Sequence, residues 1–308
     1  MTLILTHKDC LAHDTGAGHP ERRERLDILL ELIAAEGLAV GAAPLAERAA
    51  LERAHDPAYV AEVLSRIPRN GYAALDPDTI VSPGSGAAAL RAAGAGVHAV
   101  DLIMAGTDCN GFAAVRPPGH HAEHARAMGF CLFNNVAIAA RHALDHHKLA
   151  RVAIFDFDVH HGNGTQDIFI DEPRVLFAST HQAPLYPGTG TAEDRGRATL
   201  INRPLPPGAS SFLFREAWEE ILALAEPFAP NFVFISAGFD AHRLDPLANL
   251  LLETEDYAWV TERILDYAAR HADGRVLSTL EGGYDRDALR DGVRAHLRAL
   301  LAASSAGR

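Results

Sequence analysis

Hydrophobic and polar positions along this chain alternate between two rhythms. Short apolar, β-branched runs at 2–6, 111–115, 151–155, 174–181, 230–236 and 275–280 read as buried strands, with a further one at 199–205. Between them apolar residues return every three or four positions, the spacing of a helix with one buried face. The first such stretch opens at His19-Pro20-Glu21-Arg22, puts Leu26, Leu29, Leu30 and Ile33 on one side, and stops at Gly37. Others run over 55–67, 86–105, 136–140, 210–226, 253–272 and 287–302. The stretch 86–105 is rich in Ala and Gly, which suits close helix packing. Residues 75–85, rich in Pro, Asp, Gly and Ser, read as a loop, and 304–308 as a frayed end. Strands alternating with helices predict an α/β protein. The expected form is a three-layer αβα domain over 1–308, with a mostly parallel central sheet. In such open sheets, ligands bind beyond the carboxyl ends of the strands.

The polar clusters fall at those ends. Arg151–Phe155 is followed by Asp156-Phe157-Asp158-Val159-His160-His161-Gly162-Asn163-Gly164. If the strand continues, Asp156, Asp158 and His160 share a face. Two carboxylates and an imidazole so placed repel one another, or stay unpaired, without a cation between them. An oxygen and nitrogen donor set of this kind suits zinc. The plainer alternative is a polar strand exit whose acids cap the next helix. Arg116-Pro117-Pro118-Gly119-His120-His121 is a stiff loop that can fix two adjacent imidazoles for proton transfer. Asp240, in Ala237-Gly238-Phe239-Asp240-Ala241-His242, stands where a third ligand could come from. Glu281-Gly282-Gly283-Tyr284 closes the last strand and frees Tyr284 to point into a site. Four clusters on one sheet edge say more than any one of them. Arg25 and Asp78 read on their own as a helix cation and a solvated loop acid, and His146-His147 as surface histidines at a polar helix end. Cys131 reads as a buried thiol and His124 as a bystander. Phe130 is either core or the wall of an apolar slot, and Tyr186 a slot wall or an exposed ring.

Composition narrows the function. The net charge of −12, without a basic run, argues against nucleic acid and favours a cationic substrate or leaving amine. Cys10, Cys109 and Cys131 have no metal-like spacing, which fits a reducing cytoplasm. Neither a signal peptide nor an unbroken apolar membrane span is expected.

Taken in order, His19-Pro20-Glu21-Arg22, Arg116 to Ala122, Gly129-Phe130-Cys131, Asp156 to Gly164, Ala237 to His242 and Glu281 to Tyr284 resemble the histone deacetylase family. The likeness is to its class II-type branch of bacterial deacetylase-like and acetylpolyamine amidohydrolases, and it covers nearly the whole chain. The resemblance implies an arginase/deacetylase fold and zinc-dependent amide hydrolysis, with ferrous iron as the alternative metal. By the same likeness Asp158, His160 and Asp240 are the metal ligands. His121 is the main proton shuttle and His120 chiefly electrostatic, with Asp156 behind His120 and Asn163 behind His121. The class I branch has aspartate at the Asn163 position. Tyr284 is the oxyanion donor. Gly129, Phe130 and Tyr186, with Asp78 and Gly282, would bind substrate, and Arg25 would line an inner acetate channel. Asp156, Asp158, His160, Ser179 and Thr180 would hold a structural potassium ion, and Phe169 and Val175 lie near a second such site. Arg23 departs from the pattern, since relatives often carry proline there. The expected substrate is an acetyl-lysine peptide or protein, or else an acetylated polyamine, and a homo-oligomer is left open. The rivals are a two-metal ureohydrolase and an acyl-amine binding module without turnover.

Overall fold

The apolar runs pair side by side into one sheet in the computed structural model, which describes residues 2–306. The strands are β1 (Thr2–Thr6), β2 (Gly41–Ala42), β3 (Ala73–Asp76), β4 (Thr79–Val81), β5 (Asn110–Ala113), β6 (Val152–Asp156), β7 (Val175–Gln182), β8 (Thr199–Leu205), β9 (Phe232–Ala237) and β10 (Val276–Leu280). The helices are α1 (Glu24–Ala35), α2 (Arg48–Leu51), α3 (Pro57–Ser65), α4 (Ser85–Met104), α5 (Asn135–Asp145), α6 (Asn163–Phe169), α7 (Ser211–Ala225), α8 (Thr254–His271) and α9 (Arg286–Ala306). The main sheet runs β2-β1-β5-β10-β9-β6-β7-β8, with every pairing parallel. Helices α4, α5 and α6 cover one face and α1, α7, α8 and α9 the other. Strands β6, β7, β9 and β10 are therefore buried throughout, which explains why they read as continuous apolar runs rather than alternating ones. This is the three-layer αβα architecture with a parallel central sheet that the strand and helix order predicts.

Four strands side by side, β5, β10, β9 and β6, carry the four polar clusters at their carboxyl ends. The chain leaves β5, skips two places to β6, builds outward through β7 and β8, and returns to fill the gap with β9 and β10. Late segments thereby bring Asp240 and Tyr284 between the early His120-His121 loop and the Asp158 loop.

Some boundaries differ from the sequence expectation. Helix α1 begins at Glu24, not Pro20. The His19 ring bonds the Glu21 backbone, and the Glu21 carboxylate is drawn inward to Arg116, so this stretch turns instead of coiling. The expected loop at 75–85 contains half of a small antiparallel hairpin, β3-β4. At the carboxyl end α9 continues through Ser304, which is buried and donates to Asn110 Oδ1 at 3.1 Å. Gly307 and Arg308 lie outside the described residues. Helix α4 has the length and mean hydropathy of a membrane span, but its Ala88, Ala92, Ala95 and Ala99 are buried against the sheet and α5.

Candidate active site

Strand β6 ends at Asp156, so Asp158 and His160 are not brought together by strand alternation. A tight turn does it. Asp156 Oδ1 accepts from the Asp158 backbone N–H at 3.1 Å, and Asp158 Oδ1 accepts from the His160 backbone N–H at 2.9 Å. Asp156 Oδ2 then accepts from His120 Nδ1–H at 3.0 Å and is not part of the converging ligand group. Asp240, beyond β9, completes the set, with Oδ1 accepting from the Val159 backbone N–H at 3.0 Å.

Asp158, His160 and Asp240 each present a ligand atom within 4.8 Å of the others. His160 Nδ1 lies 3.1 Å from Asp158 Oδ1 and 3.2 Å from Asp240 Oδ2. Apart from that ring nitrogen, the fully buried Asp240 Oδ2 meets no hydrogen-bond donor. Burial alone would push the His160 pKa down, yet Asp158 and Asp240 hold it up at about 10. The carboxylates thus demand positive charge at this point. Gly282 tightens the cradle. Its backbone N–H donates to Asp158 Oδ2 at 2.8 Å, and a Cβ there would lie 2.0 Å from Asp240 Oδ2 and 2.6 Å from Asp158 Oδ2. An orphaned buried oxygen, two acids and one imidazole fit a zinc-type cation. Gly282, expected to bind substrate, lies directly against these two carboxylates and orients Asp158 through its backbone N–H.

The tandem histidines stand beside this group with ring centroids 4.0 Å apart. For His120, burial opposes the charged form, but Asp158 and Asp156 outweigh it and hold the pKa at about 10. His121 is pushed well below the usual range by burial and by the neighbouring His120 and His160 rings. Its Nδ1–H donates to Asn163 Oδ1 at 2.8 Å, while Asn163 Nδ2 donates to Glu123 Oε1 at 2.8 Å. That second bond fixes which way round the amide sits. His121 Nε2 is therefore the lone-pair nitrogen, available to take a proton.

Tyr284 closes the opposite side. Its phenol is pushed well above the usual range by burial, so the hydroxyl stays protonated and can donate. The ring lies under the Arg25 guanidinium, 4.9 Å from centroid to Cζ, and edge-on to Phe130 at 5.9 Å. A cavity of about 240 Å³ lies among Asp78, His121, Phe130, His160, Tyr186 and Tyr284. Gly129 and Phe130 both have positive φ, 56° and 69°. A Cβ at Gly129 would strike the His121 ring at 2.5 Å, so only glycine lets the slot wall reach it. Tyr186 packs edge-on to His121 at 5.2 Å, a slot wall with its outer part exposed.

Arg25 is not an exposed helix cation. It is buried and donates to the carbonyls of Gly283 at 2.6 Å and Glu281 at 2.5 Å, and to Glu21 Oε1 at 3.1 Å. Arg116 is also fully buried and shares that Glu21 carboxylate. Burial would raise the Glu21 pKa, but the Arg116 charge and its bonds bring it down to about 2. Behind Tyr284 there are thus two guanidinium charges to one carboxylate. Ser179 and Thr180 are buried on β7, the first bonding His181 and the second accepting from Trp218 Nε1. Phe169 and Val175 are buried core residues nearby, and Cys131 is a buried free thiol.

Two positioning residues escaped the sequence reading. Glu281 Oε2 accepts from the backbone N–H groups of Gly119 at 2.7 Å and His120 at 3.1 Å, holding the histidine loop from beneath. Burial lifts its pKa to about 7. Asp245 Oδ2 accepts from the Tyr284 backbone N–H at 2.6 Å, and its pKa is raised to about 7 by burial and Asp240. The available signal for Glu281 was an acid directly after a fully buried strand without a charged residue. Asp245 reads only as part of a stretch resembling a ureohydrolase metal motif, and nothing there points to the Tyr284 backbone.

Comparison with known proteins agrees with this geometry. Residues 19–300 match the histone deacetylase domain. The chain is 47% identical over 226 residues to "Histone deacetylase 14, chloroplastic" of Arabidopsis thaliana, covering 70% of this chain and 53% of that protein. It thus spans about half that relative's length. It is 38% identical over 279 residues to "Histone deacetylase-like amidohydrolase" of Pseudomonas aeruginosa, covering 87% of this chain and 73% of that protein. The crystal structure of the HDA15 HD domain superposes with a TM-score of 0.91 at 35% identity, over 99% of this chain and 92% of that one. With the domain match running through every strand that bears the site, the chain belongs to the histone deacetylase family.

Proposed function

We propose that this protein is a zinc-dependent deacetylase that hydrolyses the N-acetyl amide of a lysine side chain. The observation that carries the reading is the convergence of Asp158, His160 and Asp240 beside His121 and Tyr284 at the floor of one apolar slot. A zinc ion held by those three residues would supply a water of lowered pKa and polarise the acyl oxygen. The aliphatic stem of the substrate lies between Phe130 and Tyr186, with Asp78 on the slot lining. His121 Nε2 takes the proton of the attacking water, because Nδ1 is committed to Asn163. His120, charged and tied to Asp156, stabilises the negative charge that builds up. The Tyr284 hydroxyl donates to the acyl oxygen as it becomes an oxyanion. His121 then passes its proton to the departing amine, and acetate leaves past Arg25 toward the buried guanidinium pair. A structural potassium ion near Asp156, Ser179 and Thr180 is part of the same reading.

The two-metal ureohydrolase alternative is disfavoured. The stretch Phe239 to Pro246 faintly resembles a ureohydrolase metal motif, but its Asp245 is spent on the Tyr284 and Asp285 backbone, and its His242 stacks 6.4 Å from Tyr257. Among the described residues only Asp158, His160 and Asp240 converge at the slot. An acetylated polyamine is the second substrate reading, favoured by Asp78 on the slot lining and the acidic net charge. Chelated protein should lose turnover of an acetyl-lysine peptide and regain it with one equivalent of Zn2+. Turnover that survives complete metal removal contradicts the reading. Faster hydrolysis of acetylputrescine than of the peptide selects the polyamine instead.

A further inference from the structure

A second group of histidines lies where the carboxyl end of α5 meets α4. His146-His147 reads in the sequence as a solvated pair, but the fold brings His142 and Asp101 to it. Asp101 Oδ1 is 2.6 Å from His142 Nε2 and 2.7 Å from His147 Nε2. His142 and His146, one helical turn apart, stack at 4.6 Å with 10° between the rings. His147 stands edge-on to both, at 5.2 and 5.1 Å. All four residues offer a ligand atom within 4.8 Å of one another.

Solvated histidines have no reason to crowd in this way. Two of the three imidazoles bond the same carboxylate oxygen, and the third stacks on one of them. Imidazole nitrogens gathered with a carboxylate are the donor set of a borderline divalent cation, not of Mg2+ or Ca2+. His146 is exposed and Asp101 and His147 half-buried, so an ion can reach the group from solvent. The spacing joins two helices: His142 belongs to α5, His146 and His147 follow it, and Asp101 comes from the last turn of α4.

We propose that Asp101, His142, His146 and His147 form a second metal site, separate from the catalytic group, which takes one Zn2+-type cation and ties α4 to the end of α5. Each imidazole that binds through Nε2 must shift its single ring proton from Nε2, where it now faces Asp101 Oδ1, to Nδ1. One neighbour opposes it. His142 Nδ1 accepts from Arg53 Nη1 at 3.1 Å, and with Nε2 on a metal that Nδ1 must carry the remaining ring proton. Removing the Arg53 side chain should therefore tighten the site.

The test titrates the whole protein, its catalytic site already loaded with zinc, with Co2+ and separately with Zn2+ against a chromophoric chelator. Wild type should hold a second equivalent and develop the visible bands of nitrogen-coordinated Co2+. His146→Gln/His147→Gln should lose both the second equivalent and the bands, with unchanged turnover, and Arg53→Ala should bind the second equivalent more tightly than wild type. In an Asp240→Asn background the His146→Gln/His147→Gln change should remove the remaining equivalent. A single equivalent in wild type overturns the proposal, as does a second equivalent that persists without His146 and His147.

Discussion

Gly282→Ala tests the site through one methyl group. The added Cβ would sit 2.0 Å from Asp240 Oδ2 and 2.6 Å from Asp158 Oδ2. Ordinary carbon–oxygen contact is about 3.3 Å, comparable to the closest carbon–oxygen approaches in sheets. Asp240 must therefore retreat by roughly 1.3 Å and Asp158 by roughly 0.7 Å, or the Gly282 backbone must shift. The backbone is not free to do so, because its N–H donates to Asp158 Oδ2 and its carbonyl accepts from Phe239. Overpacking of this kind costs about 1–3 kcal/mol of stability, which a sizeable α/β core can absorb. Function has less room. A displacement of about 1 Å at reacting groups costs on the order of 100-fold in rate, and disturbing the groups that orient metal ligands costs about 10–100-fold in affinity. Gly282→Ala should therefore remain folded, bind Zn2+ about 10–100-fold more weakly in chelator competition, and lose at least roughly 100-fold in kcat/KM at saturating zinc. Circular dichroism and thermal melts establish folding, and turnover of a fluorogenic acetyl-lysine peptide gives the rate. A folded variant with wild-type zinc affinity and wild-type kcat/KM would show that these two carboxylates do not hold the catalytic metal in the arrangement described.

Three further outcomes follow from the same geometry. Tyr284→Phe keeps the ring under Arg25 but removes the hydroxyl, and should cost about 3–4 kcal/mol in kcat/KM with zinc content unchanged; wild-type turnover would remove Tyr284 from the mechanism. Asn163→Asp places a carboxylate on His121 Nδ1, stabilises the protonated ring and raises its depressed pKa, so the acid limb of the kcat/KM–pH profile should move to higher pH. Glu123 beside the new acid blunts the shift without reversing it, and an unmoved acid limb would show that Asn163 does not set His121 basicity. Glu21→Gln leaves the buried Arg116 and Arg25 without their shared carboxylate and should lower unfolding free energy at neutral pH by about 3–5 kcal/mol in urea melts. The sign with pH follows from the folded pKa of about 2 against an ordinary 4.5. Stability from Glu21 is present above pH 4.5 and is lost as pH falls toward 2, so the variant should have a flatter acid limb than wild type.

What the sequence disclosed, and what it withheld, divides by the kind of physics involved. Strands buried on both faces must be apolar along their length, so β6, β7, β9 and β10 announce themselves, and the residues at their carboxyl ends are marked by position alone. That logic grouped Asp156, Asp158 and His160 with Asp240 close by, and only the family resemblance singled out Asp158, His160 and Asp240. Strand alternation would have put Asp156 with the ligands, whereas the turn begun by its own Oδ1 sends it to His120 instead. Side chains whose task is to hold backbone carry no periodic signal. Glu281 under the histidine loop and Asp245 under Tyr284 could be found only once the chain's return through β9 and β10 had set them beside residues more than a hundred and nearly forty positions away. Arg25 shows the converse. Its local pattern is that of a surface helix, and nothing nearby reveals that α1 is pinned with this face against the Glu281–Tyr284 loop. The carboxylate that makes its burial tolerable, Glu21, lies one turn upstream, yet its stronger partner Arg116 is 95 residues away. A buried charge becomes legible only with its partners, and those of Arg25 come from Glu21 and from the distant Glu281–Gly283 carbonyls. The same reasoning applies to Asp101 and His142, whose approach to His146 and His147 turns a helix end that reads as solvated into a set of four converging donors. Chemistry carried by a single segment can be read from that segment, and chemistry assembled by topology has to wait for the fold.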